Sequence, residues 1–500
     1  DSTGASSRYA GLLISSLALA RVLKREGGEE ETHIGILLPP SVGAVKVALG
    51  VMIADRIPVF LNYTASADAI EHAIAKCAIR RLYTSAEMIE KLPAKFPQLL
   101  EVEDVASRVT IGDKLAATVM AITPFRWLER RWYPTHADST HNPATVLFSS
   151  GSTGMPKGVV LTHNNLYSNM NTAVRMLDVK GDDVFLGVLP FFHSFGFLIT
   201  LWLPLCWGVR VVYHNNPVDA ARIGELCENN GVSLIMATPT FLQAYIRKCT
   251  PEQFHRLRLV ITGAEKLRAD VRDHFAEKFG VVPIEGYGCT ELSPIVSVNM
   301  PKSVTDLGTA DGKSGSVGQA IPGVTVKVVD PQTGELLNEG EEGLLLVKGP
   351  NVMLGYLDDP ERTAEVLQDG WYNTGDIVRI DRDGYITITG RQSRFSKIGG
   401  EMVPHGAVED AIHEVLGVTD TRVVVTGVPD AKRGEKIVVL HLPLDQEPPD
   451  ILAALRQRDL PNLWLPKPVE FYAISEIPIL GSGKLDLAAV RELATELAGG

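Results

Sequence analysis

The sequence predicts an α/β protein: a large N-terminal domain of layered, mostly parallel sheets with a β-rich subdomain, followed by a small mobile α+β C-terminal domain. Three observations predict it. Short apolar runs alternate with helical stretches through the first half of the chain and beyond. Several of those runs end in glycine- and serine-rich turns. After about residue 315 the texture changes to short strands joined by Gly and Asp turns.

Taken in order, residues 9–23, YAGLLISSLALARVL, predict an amphipathic helix, for they lack the basic leader and cleavage site of a secretory signal. THIGILLPP predicts a strand closing in a proline turn, and SVGAVKVALGVMIAD a helix. RIPVFLN, a helix over 68–76 and RRLYTS repeat the pattern. GVRVVYH, a helix over 217–229 and GVSLIMATP repeat it again, as do LRLVITGAE, a helix through Phe279 and VPIEGYG. Ligands of parallel sheets sit past the carboxyl ends of the strands. ATVLFSSGSTG, ITGAE and IEGYGCTE therefore predict three ligand loops converging on one edge. Over 184–209 the only charge-capable residue is His193, a length that could span a bilayer. Gly187, Pro190, Gly196, Pro204 and Gly208 cut it into pieces suited to a buried core, so no transmembrane span is expected.

GSVGQAIPGVTVKVVD, GEEGLLLVKGP, GWYNTGDIVRID and GYITITG predict the β-rich subdomain, about 315–391. The expected boundaries are an N-terminal domain over 1–391, a hinge at 392–394 and a C-terminal domain over 395–500. A helix over 406–415 and the strands TRVVVTGV and KIVVLHL belong to the last.

A chain of 500 residues exceeds one ordinary core. With 45% apolar and 22% charged residues it has the balance of a soluble protein. The formal charge of −12 argues against a nucleic-acid partner. Arg126, Arg130 and Arg131 in RWLERRWY read as a solvated loop. Five cysteines without a CxxC pair argue against disulfides and zinc and fit a reducing, cytoplasmic setting.

Four stretches carry chemistry. In LFSSGSTGMPKGVV, Gly151 and Gly154 let backbone N–H groups turn inward, and Ser149, Ser150, Ser152 and Thr153 supply hydroxyls. Lys157 adds a point charge suited to a polyphosphate. The loop is not the common P-loop, because Lys157 follows Pro156 and precedes Gly158; a mobile Ser/Gly turn is the alternative. In GYGCTE, Glu291 suits Mg²⁺ beside phosphates or else caps a helix, and Tyr287 offers a face for a base. In YNTGDIVRID…GYITITGR, Asp376 and Arg391 suit a ribose, or a structural turn. In ILGSGKLD, Lys484 stands between turn residues, poised for delivery into a site or simply within a turn.

Together these stretches resemble the AMP-forming adenylating superfamily, which includes acyl-CoA synthetases, luciferases and peptide-synthetase adenylation domains. SSGSTGMPKGV is similar to its phosphate loop, YGCTE to its Mg²⁺/ATP motif and NTGD to its ribose motif. Gly390 and Arg391 are similar to its second ribose contact and GSGK to its adenylation lysine. The resemblance covers essentially the whole chain. It implies ATP and Mg²⁺, with the metal on Glu291, and a C-terminal domain that rotates between two half-reactions. It implies that Gly263, Ala264, Glu265, Glu285, Gly286 and Tyr287 line the adenine and acyl pocket, with Gly288 and Thr290 alongside on the nucleotide. His193 in FFHSFGF borders the substrate carboxylate, and Lys397, Gly399 and Gly400 meet a pantetheine arm. Lys484, Glu291, Thr153 and His193 are the residues nearest the chemistry. Ser393 falls at the hinge, where the family usually has Asp or Lys.

Within the family, RFSKIGGEMV, VED and GYGCTELSPIVSVN look closest to the acyl-ACP synthetase half of bifunctional 2-acylglycerophosphoethanolamine acyltransferases. That implies a fatty acid activated with ATP and passed to acyl carrier protein. It also implies an acyltransferase domain in a longer protein, holding the ligase at the inner face of a membrane. CoA as acceptor is the alternative. An amino-acid adenylation domain and an inactive nucleotide-binding module are the remaining readings. Phe191, Phe192, Phe195, Phe197 and Leu198 are expected to line the acyl site.

Overall fold

A computed structural model describes the chain except for residues 29, 125, 128–138, 150–154, 302–311, 399–400, 419–420, 431–432, 459, 480–484 and 500. Among the described residues the strands form five sheets. The first is wholly parallel, in the order Ile57–Phe60, His33–Leu37, Leu82–Thr84, Leu99–Glu101. The second runs Gln319–Ala320, Ile295–Val298, Ile284–Gly288, Leu259–Thr262, Leu234–Ala237, Val184–Gly187, Arg210–Tyr213. It is parallel from Ile284–Gly288 onward, and its first two strands add antiparallel at the edge. The parallel strands read as unbroken apolar runs because helices cover both faces. Those helices start where the sequence offers a cap: Ser41, Ser66, Thr162 and Asp219 each accept a backbone N–H of the first turn.

ATVLF departs from the expectation. Its strand, Pro143–Ser149, does not join a parallel sheet but pairs antiparallel with Lys157–Thr162, and Gly355–Tyr356 completes that sheet. Ser149 lies in register with Lys157, so the two strands pair as an antiparallel hairpin, and residues 150–154 between them lie outside the described residues. Two strands this close in sequence can pair only antiparallel, since a parallel return needs a crossover of a dozen residues or more.

The aromatic segment departs too. Phe191, Phe197 and Leu198 are fully buried in the main core, where Phe60 meets the rings of Phe191 and Phe197 edge-on. Phe192 and Phe195 are only half-buried. The chain turns there through a π-helix, Gly196–Trp202. A Cβ on Gly196 would stand 2.3 Å from the Pro190 carbonyl oxygen, so no larger residue fits. The apolar run over 184–209 thus becomes core, and no described helix is long and apolar enough to cross a membrane.

The β-rich region is a sheet of Thr325–Val329, Glu342–Lys348, Trp371–Ile380 and Leu367–Gln368, with Ile386–Arg391 also paired to Trp371–Ile380. A single 3₁₀ turn, Gln392–Arg394, leads from it into the last sheet. That sheet holds Glu401–Pro404, Phe395–Ile398, Gly434–His441, Val423–Asp430 and Phe471–Ala473 around a separate core.

His405 sits at the start of the helix His405–Leu416, buried, with Nε2 2.8 Å from Ser396 Oγ. Burial, reinforced by Arg394 and Arg491, pushes its imidazole down to about 3. The folded state therefore excludes a proton that the unfolded chain binds near pH 6.5. This stabilisation is complete above that pH and is lost as pH falls toward the folded value. Urea unfolding of the C-terminal core should lose about 1–1.4 kcal/mol between pH 6.5 and 5.5. His405→Asn should flatten that slope.

Candidate active site

Three sheets meet where the motifs converge. The strand Ile284–Gly288 delivers Tyr287, whose hydroxyl donates to Asp376 Oδ2 at 2.5 Å. Asp376 stands in the strand Trp371–Ile380, directly across the ladder from Arg391, whose Nε lies 2.8 Å from Oδ1. Both oxygens of a carboxylate only 2% exposed are thus partnered. This carboxylate strengthens the Arg391 charge and, after burial itself, is the main cause holding the Tyr287 phenol well above its ordinary range.

Beyond Gly288 the chain turns back sharply. A Cβ on Gly288 would fall 1.8 Å from the Pro294 carbonyl oxygen, so only glycine allows the turn. Glu291 lies inside it, 8% exposed, and Oε1 accepts the Tyr356 hydroxyl at 3.0 Å. Tyr356 belongs to the hairpin sheet, and Lys157 Nζ sits over its ring at 5.2 Å. Asn351 locks the turn: its Nδ2 donates to the Leu292 and Ile295 carbonyls, and its own carbonyl accepts Ser293 Oγ. Neither Tyr356 nor Asn351 is visible as a motif. Their stretch, NVMLGY, looks like any strand with a turn.

The other expected residues fall as follows. Thr290 Oγ1 is 3.3 Å from Ser194 Oγ, so FFHSFGF does reach the GYGCTE turn. His193 is half-buried, its Nδ1 facing the Phe195 amide at 3.3 Å. Gly263 is buried beside Phe195 and the Gly286 carbonyl, and Ala264 is held at φ +69°. The two acids of this region serve their own scaffold. Glu265 is exposed and accepts the Thr240 hydroxyl at 2.7 Å, while Glu285 Oε1 accepts the Leu267 amide at 3.2 Å. Burial raises the Glu285 carboxyl above its ordinary value.

Lys397 lies in the last sheet with its Nζ 3.5 Å from Gln332 Oε1. Ser393 stands in the turn before that sheet and borders a groove of about 830 Å³ against the helix Leu487–Gly499. Ser150, Gly151, Ser152, Thr153, Gly154, Gly399, Gly400 and Lys484 lie outside the described residues.

The arrangement suits binding of charge rather than covalent attack. Cys289 is the nucleophile nearest both carboxylates, but burial, then Glu291 and Asp376, hold its thiol well above the ordinary range. It stays protonated and inert. For Mg²⁺ the donor set fits. Glu291 is a lone carboxylate with one oxygen committed to Tyr356, and Mg²⁺ on phosphates takes one or two carboxylates plus water. Among the described residues no group of three or more His, Cys, Asp or Glu gathers as a self-sufficient metal cage.

An ATP-using ligase of mixed α/β build, with a large N-terminal and a small C-terminal part, is the class this fold and junction define. The chain belongs to the AMP-binding enzyme family, whose model matches residues 2–357. It is 30% identical over 493 residues to feruloyl-CoA synthase of Amycolatopsis sp, covering 98% of this chain and 94% of that protein. It is 28% identical over 510 residues to the medium-chain fatty-acid–CoA ligase of Escherichia coli (strain K12), covering 98% and 86%. ATP-bound MatB from Rhodopseudomonas palustris superposes with a TM-score of 0.82 at 26% identity, over 98% of this chain and 94% of that one. The protein is an AMP-forming acid–thiol ligase.

Tyr356→Phe should keep the ring under Lys157 while removing the donor to a nearly buried carboxylate. A hydrogen bond to such a group contributes about 1.5–3 kcal/mol, and urea unfolding of the N-terminal part should show a loss of that size.

Proposed function

We propose that this chain joins a medium- or long-chain fatty acid to the thiol of CoA through an acyl-adenylate. The observation that carries this reading is the junction itself. One short run, Tyr287 to Glu291, touches Asp376, itself paired with Arg391, at one end and Tyr356, beneath Lys157, at the other. A nucleotide needs that spacing of functions: a carboxylate and guanidinium for the ribose, then an acid and a lysine for the phosphates.

In the first step a carboxylate oxygen of the substrate attacks the α-phosphorus of ATP. The bond to the bridging oxygen breaks, and pyrophosphate leaves. Asp376 and Arg391 hold the ribose, Tyr287 faces the base, and Lys157 with Ser149, Ser150, Gly151, Ser152 and Thr153 holds the leaving phosphates. Thr290 and His193 border the reacting carboxylate. Mg²⁺ held by Glu291 would supply neutralisation of phosphate charge. Lys484 approaches from the C-terminal domain for this step. That domain (395–500) then turns about Ser393, bringing Lys397, Gly399 and Gly400 to the pantetheine arm. The thiol sulfur attacks the acyl carbon, its proton passes to solvent, and AMP departs.

CoA is favoured over acyl carrier protein because the curated relatives are named as CoA ligases. Carrier protein, with a fused acyltransferase and a membrane-bound setting, is kept as the finer alternative. An aryl acid is the second reading of the substrate. The match to feruloyl-CoA synthase, over 98% of this chain and 94% of that protein, favours it.

The test is carboxylate-dependent ATP–pyrophosphate exchange with fatty acids and hydroxycinnamic acids in parallel. Fatty acids should drive exchange, and Lys484→Ala should lower it by about 10²-fold or more. Exchange with aryl acids alone would move the substrate to the second reading. Product formation with holo-acyl carrier protein but not CoA would reverse the acceptor.

A further inference from the structure

The helix Ile111–Ile122 is amphipathic the wrong way round for a soluble surface. Its inner face is accounted for. Asp113 is buried and shared by Arg21 and Arg25 at 3.0 Å each, and Ala117 packs with Leu17 and Ala18 of the first helix. Its outer face is left open by the described residues. Ile111, Leu115, Val119 and Ile122, at spacings of four, four and three, make one stripe on the helix, and they are 77%, 64%, 61% and 79% exposed. Exposed apolar side chains scattered singly need no explanation, but a contiguous stripe marks an interaction surface.

The chemistry around the stripe identifies its partner. Lys114 is exposed within the helix, and just past its end stand the exposed Arg126 and Trp127, the latter 75% exposed. The helix's one acid, Asp113, is neutralised by two arginines. A chain of net charge −12 thus presents an aliphatic stripe edged by cations and a tryptophan. That is the composition of a helix lying in the plane of a lipid surface, with Lys and Arg at headgroup level and Trp at the interface. No described helix could cross the bilayer instead.

We propose that the helix Ile111–Ile122 docks this enzyme on lipid bilayers that carry anionic headgroups, its apolar stripe sunk into the interface. This goes beyond the proposed reaction and does not depend on which acid is activated. Docked this way, the enzyme would draw an apolar acid directly from the phase into which such acids partition.

The experiment is cosedimentation of the full chain with vesicles of phosphatidylcholine alone or mixed with phosphatidylglycerol, using wild type, Leu115→Glu/Ile122→Glu and Lys114→Glu/Arg126→Glu. None of these side chains belongs to the proposed catalytic or nucleotide-binding set, so ATP–pyrophosphate exchange with a short soluble acid reports that each variant is folded. Wild type should bind the anionic vesicles. The stripe variant should bind about tenfold less or weaker, and the charge-reversal variant should lose the preference for anionic over neutral vesicles. Wild type left in the supernatant would overturn the proposal, as would a stripe variant that binds as wild type does. A wild-type dimer in sedimentation velocity that the stripe variant converts to monomer, without vesicle binding, would assign the face to a second copy.

Discussion

The Asp376 carboxylate constrains everything around it. It is buried and needs both of its donors, because a carboxylate taken from water and left half-paired costs several kcal/mol. One donor, Tyr287, arrives on the largely parallel sheet; the other, Arg391, arrives on the antiparallel sheet. Those two sheets must therefore close on each other at this point. Glu291 imposes the same condition on the hairpin sheet through Tyr356. The site is the place where three sheets are tied by two acids, which lets one structural requirement and one chemical one share the same side chains.

That sharing explains which parts of the site are legible in the sequence. Glu291 and Asp376 stand out because each is an acid set in a glycine-containing stretch, and Gly288 and Arg391 are read only with the motifs around them. The parallel order of Leu234–Ala237, Leu259–Thr262 and Ile284–Gly288 is equally visible, since a strand, a helix and a strand at that spacing have few other ways to pack. Tyr356 and Asn351 are invisible because nothing local marks them. Their meaning lies in contacts to residues 65 and 59 positions away. The hairpin was hidden for a related reason: ATVLF has the apolar run of a parallel strand, and only its partner decides otherwise. Phe191 and Phe197 misled in the opposite sense, as aromatic residues beside a histidine suggest a pocket when their rings fill a core.

The two glutamates of the 263–285 region refine the picture of that wall. Glu265 and Glu285 spend their carboxylates on Thr240 and on the Leu267 amide. They fix the path of the Gly263–Ala264 backbone, including the left-handed turn at Ala264, rather than presenting charge inward. In the proposed reaction, anionic recognition therefore falls to Lys157 and Arg391 rather than to these two acids.

The contacts across the hinge bear on the proposed rotation. Arg394, at the end of the hinge turn, pairs with Glu409 of the helix His405–Leu416, both largely buried, and Glu409 also accepts the Val425 amide at 2.7 Å. Burial raises the Glu409 carboxyl, and Arg394 opposes that shift. Arg394 therefore belongs mechanically to the C-terminal sheet and would travel with it. Across the two parts, by contrast, Lys266 and Asp410 make an exposed ion pair at 2.9 Å, of the kind that contributes about 0–1 kcal/mol, and Lys397 reaches Gln332 only at 3.5 Å. These polar contacts between the parts are weak, while Phe395 packs on the apolar cluster of Val329, Leu344 and Ile377 just past the hinge turn. In the proposed rotation these surface contacts and the Phe395 packing would be exchanged, while the Tyr287–Asp376–Arg391 and Glu291–Tyr356 ties, all formed before the hinge, would stay in place.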